Sequence, residues 1–71
     1  MNNWVIVWEK NENEEPVFTG YGQMEHKQIE SLIECVEKYS PYDYATVDTY
    51  TKQDYDFLKD KWSANWKEAE K

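Results

Sequence analysis

A chain of 71 residues with eight basic and fifteen acidic side chains, a net charge of −7, has room for one domain over residues 1–71 and one modest core. All eight basic residues are lysine, so the arginine forks that grip phosphates and base edges are missing; this argues against direct nucleic-acid binding and against anionic membrane surfaces. One cysteine and one histidine supply neither a disulfide nor a zinc ligand set, leaving the core to four Trp, six Tyr and two Phe, each able to bury roughly 150 to 250 Å².

The first apolar run, WVIVW, has no polar side chain on either face. On a strand over residues 3–9, Trp4, Ile6 and Trp8 point one way and Val5 and Val7 the other. The polar tract NENEE then reads as a hairpin loop leading to a second strand over residues 16–21. Pro16 at its start suits an edge strand, because proline donates nothing to a ladder, and Gly20 and Gly22 end or bulge it. From residue 23 to 39 the period changes. Ile29, Leu32, Ile33 and Val36 form a one-sided stripe on a helix, extended by Met24 and Tyr39 and stopped at Ser40-Pro41.

YATVDTYT, residues 44–51, is β-branched, aromatic and alternating, and reads as a third strand. Thr51 with Asp54 then starts a second helix, whose stripe of Tyr55, Leu58, Trp62, Trp66 and Ala69 runs to near the C-terminus. The order is ββαβα. Strand one, apolar on both sides, belongs in the middle, and a right-handed crossover carries strand three to its far side. The expected fold is an α+β two-layer sandwich, a three-stranded antiparallel sheet in the order 2-1-3 with two helices on one face. That arrangement leaves one row of the first strand uncovered, Val5 and Val7 or Trp4, Ile6 and Trp8.

Catalytic chemistry has little support. Cys35 and His26 stand on opposite sides of the first helix and cannot pair as nucleophile and base, so Cys35 is expected to be a small buried hydrophobe and His26 a first-turn surface residue. No Ser-His-Asp set, phosphate loop or calcium loop is present, and neither a cofactor nor a metal is expected. Two features do point outward. Glu30, Glu34 and Glu37 cluster on one side of the first helix, and Asp56 and Asp60 form a second row on the other helix. Carboxylates one turn apart stand ~6 Å from each other along the axis, close to the spacing of phosphates along a strand, and such rows can occupy a basic groove. Phe57, on the back of the second helix, and the open Val5/Val7 row would supply apolar anchors.

In size and charge alone the chain resembles small phage-encoded proteins that modulate a host. The expected function is a non-enzymatic acidic binding domain, an inhibitor occupying a basic surface of a nucleic-acid-processing or defence enzyme. The competing expectation is an interaction module whose partner is a second copy joined through the sheet face or a strand edge. There is no basic leader with an apolar run of roughly 7 to 15 residues and no stretch of ~20 apolar residues. The expected location is therefore the cytoplasm of a bacterium or of a phage-infected host.

Overall fold

The structure, a computed structural model, describes residues 2–69. It contains β1 (Trp4–Lys10), β2 (Val17–Gln23), α1 (His26–Tyr39), β3 (Tyr44–Tyr50), α2 (Lys52–Lys61), a 3-10 turn at Ser63–Asn65 and β4 (Trp66–Glu68). The fold is α+β, two helices and a sheet, but the sheet has four strands in the order β3-β1-β2-β4. β1 lies between β2 and β3 and is antiparallel to both, whereas β4 runs parallel to β2. The expected three-stranded, wholly antiparallel sheet is thus corrected to a four-stranded mixed one.

The two faces of the sheet follow from register. Val5 and Val7 share a face with Thr49 and Val47 of β3, and α1 lies on it, with Ile33 and Val36 against Ala45 and Val47. The Trp4, Ile6 and Trp8 face belongs to α2. Tyr55 meets the Trp4 ring at 5.2 Å between centroids, and Trp62 stacks on Phe18 at 5.0 Å. The helices therefore occupy opposite faces, and the molecule has three layers where two were expected. Topology supplies the reason. The path from β2 through α1 to β3 crosses the sheet in one direction, and the path from β3 through α2 to β4 crosses back. Two parallel crossovers of the same right hand travelling in opposite directions must use opposite faces. Without β4, nothing in the pattern demanded the second crossover.

The second helix is shorter than its apolar stripe suggested. It stops at Trp62, and Trp66, four residues on, lies in β4. Asn65 makes the break. Its backbone N–H donates to the Trp62 carbonyl at 3.0 Å and its side-chain amide to the Pro16 carbonyl at 2.8 Å. The chain then pairs Phe18 with Trp66 and Gly20 with Glu68, and Ala69 N–H closes the ladder on the Gly20 carbonyl at 3.0 Å. Pro16 consequently does not mark an edge strand. It precedes β2, whose outer ladder begins only at Phe18, so its missing N–H is never needed.

The glycines of β2 have separate tasks. Register slips between Val5–Gly22 and Ile6–Gly20, leaving Tyr21 as the extra residue of a bulge, and Gly22 takes the positive φ of 73° that the bulge requires. Gly20 is bare for another reason. A Cβ there would lie inside the Trp66 ring and against the Tyr55 hydroxyl. Those two rings meet edge to face at 5.5 Å over this backbone, and Tyr55 joins Val5, Ile6 and Val7 as the buried apolar core.

Local signals set the helix ends. Thr51 accepts from Asp54 N–H at 3.2 Å, the anticipated cap of α2. Gln28 accepts from Glu25 N–H at 2.9 Å and starts α1 at His26, so Met24 precedes the helix, its N–H donating to Asn3. The hairpin loop is tied to the α1–β3 connection, with Glu12 N–H donating to Asp43 at 2.9 Å and Asp43 N–H to Asn11 at 3.2 Å. Among the described residues no helix is long and apolar enough to cross a membrane.

Two stability predictions follow from this packing. Gly20→Ala is predicted to lower the unfolding free energy by about 1–3 kcal/mol through overpacking, read as a lower urea midpoint, and a wild-type midpoint would show that Trp66 does not rest on β2. Thr51→Ala removes only the cap and is predicted to cost about 1 kcal/mol in the same assay, whereas Thr51→Ser should cost little.

Candidate functional site

The acidic row of α1 is present and open to solvent. Glu30, Glu34 and Glu37 are all exposed along one side of the helix. Two of them have local partners, the His26 imidazole at 2.8 Å from Glu30 and Lys38 at 3.0 Å from Glu34, both pairs exposed and worth little to stability. Beside the row the apolar stripe is incompletely covered. Ile33 remains 37% exposed, and α1 has no fully buried residue.

Asp56, Asp60 and Phe57 lie on the outer side of α2, and Phe57 is 64% exposed. Lys52 pairs with Asp56 at 3.0 Å. Because the helices sit on opposite faces, this set and the α1 row look in opposite directions. The structure does not bring the two acidic rows onto one surface.

Val5 and Val7 offer no surface at all. They are 0% and 1% exposed beneath α1, so their expected role as an open apolar anchor is corrected. On the other face Ile6 is buried and Trp4 packs against Tyr55 of α2, while Trp8 is only half-buried. Cys35 also departs from expectation, being exposed where a buried position was anticipated. It stands on the flank of α1 roughly 110° from the centre of the apolar stripe, near enough to Tyr21 to act on its hydroxyl. His26 is 85% exposed in its side chain at the first helical position, ~13 Å along the axis from Cys35, and the two cannot share a proton. Among the described residues, no three His, Cys, Asp or Glu side chains converge in a way that could hold a metal ion.

A recess absent from the sequence reading lies on the α2 face. Beside α2 is a groove of about 300 Å³, walled by Trp8, Phe18, Tyr50, Leu58 and Trp62, with Thr46 and Asp48 on its floor. Thr46 donates its hydroxyl to Asp48 at 3.2 Å, and Lys61 lies over the Trp62 ring at 5.5 Å from its centroid. The signal was legible in YATVDTY, where Asp48 shares the alternate face with Tyr44, Thr46 and Tyr50. On the opposite face a smaller recess of about 240 Å³ opens under α1 at the β3 side, between Ile33, Val36 and Glu37 above and Ala45, Thr46 and Val47 below.

Three tyrosines are shifted by their surroundings. Burial, reinforced by Asp48 and Asp54, raises the Tyr50 hydroxyl pKa above its ordinary value. Burial and then Glu68 do the same for Tyr55, against the pull of Lys59 and of the Gly22 N–H. Tyr21 is raised by burial and by Glu9 and Cys35. Lys59 is itself raised by its hydrogen bond to Glu68, the ion pair that ties α2 to β4.

No family model, curated protein or solved structure matches this chain.

These shifts define a prediction at alkaline pH. In the unfolded chain the tyrosines ionise near 10.0, whereas in the folded chain they hold their protons to higher pH. Their contribution is therefore complete below the unfolded value and is lost as pH rises through the folded values. The urea midpoint should stay level between about pH 7 and 9 on their account and fall from about pH 10 upward. Tyr55→Phe should make that fall shallower, and a wild-type midpoint that holds well above pH 10 would refute the assignment.

Proposed function

We propose that this protein is a non-catalytic binding domain that presents the acidic side of α1 to a basic surface on a protein partner. The supporting observation is the row of Glu30, Glu34 and Glu37, exposed together beside the half-open Ile33 on a helix that packs lightly on its sheet. Charge of one sign attracts and orients an oppositely charged partner, and an adjacent apolar side chain gives the encounter something to bury. A basic groove of the kind carried by nucleic-acid-processing or defence enzymes fits the spacing of such a row. Asp56, Asp60 and Phe57 look the other way and would serve a separate contact. Face-to-face self-association through the sheet is the less favoured alternative, because a helix packs on each of its sides.

The test uses the intact chain and its Glu30→Lys/Glu34→Lys variant, each immobilised and exposed to a bacterial lysate, with elution by rising salt. The wild type is expected to retain a basic protein that moderate salt releases. The variant should lose it, with association at least about tenfold slower at low ionic strength. Retention that ignores both salt and the charge reversal would overturn the proposal.

A further inference from the structure

We infer that the free edge of β3 is a strand-addition site that takes an extended, lysine- or arginine-rich segment of a protein partner. This rests on the reading of the molecule as a binder of basic partners and specifies how such a partner is held.

The backbone comes first. β3 is seven residues long and ends the sheet, with β1 as its sole ladder neighbour among the described residues. Alternate residues of an edge strand turn N–H and C=O outward, and among the described residues no backbone hydrogen bond outside the β1 ladder involves those of β3. Two of the devices that usually blunt an edge, proline and a bulge, are missing, and Asp48 is the one charged side chain on β3. YATVDTY has no proline and no lysine, and its register with β1 runs without a bulge from Tyr44 to Tyr50. The opposite edge, β4, is three residues long and carries Lys67, so the same sheet has one blunted edge and one open edge.

The side chains then choose the occupant. A strand added about 4.8 Å beyond β3 would alternate its side chains between the two faces. On one face they reach the recess under α1, where Glu37 stands above Ala45 and Val47 and Glu30 follows along the same helix side. On the other they reach the groove whose floor holds Asp48 between Trp8 and Tyr50. Both recesses join apolar walls to a carboxylate. That suits a long basic side chain, whose aliphatic stem lies on the wall while its cation meets the acid. Ladder hydrogen bonds supply affinity and the alternating pockets supply selectivity, as in other strand-addition complexes. A second copy is the poorer occupant. Pairing β3 with β3 would set Glu37 and Asp48 of two chains, each of net charge −7, close to their own counterparts.

The experiment measures hydrogen exchange of the full chain with a short blocked peptide alternating lysine and threonine, and compares its affinity with that of its fully N-methylated counterpart. The two peptides carry the same charge, and only the first can donate to a ladder. Slowed exchange of alternate amides within residues 44–50 is expected, with about tenfold weaker binding of the methylated peptide. Glu37→Lys and Asp48→Asn should each weaken the first peptide. Equal affinity of both peptides, with changes confined to α1, would overturn the edge site while leaving the acidic-surface reading intact. Binding of neither peptide would overturn the edge site, and the lysate comparison would then decide the broader reading separately. A dimer that protects the same amides without peptide would overturn it in favour of a second copy.

Discussion

The far side of this sheet rests on the bare backbone of Gly20. Trp66 lies where a side chain at that position would be, with Tyr55 beside it, and the two rings meet edge to face over the glycine. From this contact the pairing of β4 with β2 follows, since Glu68 comes opposite Gly20 and Ala69 N–H reaches its carbonyl. Lys59 and the Trp66 indole N–H both reach Glu68, which couples the end of α2 to the same strand. An edge-to-face aromatic pair contributes about 0.5–1.5 kcal/mol beyond the area it buries, a large share of the margin available to so small a domain.

Once β4 is parallel to β2, the rest of the architecture has little freedom. β3 and β4 lie at opposite ends of the sheet, so α2 must cross the whole of it, and the preferred hand of that crossover puts it on the face α1 leaves vacant. This is why β1 is apolar on both sides. Val5 and Val7 form the floor under α1, and Trp4, Ile6 and Trp8 the floor under α2 and Trp66. The same geometry separates the acidic rows, because helices on opposite faces cannot pool their charges on one surface.

The two helical layers are unequal. α2 contributes buried Tyr55 and two ring contacts to the sheet, whereas α1 contributes no fully buried residue and stands over β3, at the open edge. The helix with no fully buried residue carries the exposed glutamates, and β3 beneath it is the longer of the two edge strands. Acidic side chains, partly open apolar area and free backbone groups therefore coincide on one side of the molecule. The opposite edge, β4, is only three residues long and carries Lys67.

Local chemistry in the chain determined a good deal. The strand character of WVIVW and YATVDTY, the stripe of α1, the cap at Thr51, the bulge at the paired glycines and the exposure of Glu30, Glu34 and Glu37 all follow from side-chain period and backbone preference. These act over a few residues and need no knowledge of distant ones. Where the chain could not decide, two readings shared one pattern. Trp62 and Trp66 stand one helical turn apart, and that spacing fits a continuing helix as well as it fits a break at Asn65. The tie from Asn65 to Pro16 and the unfilled ladder of β2, both nearly fifty residues away in sequence, settled it. Cys35 shows the same limit, since its distance from the stripe was legible but the seat of α1 over β3 was not. Only tertiary structure could place α2 on the second face, bury Val5 and Val7 and move the second sheet edge from β2 to β4. Those outcomes depend on which strands pair across the whole chain, and pairing is decided by long-range contacts that no local period encodes.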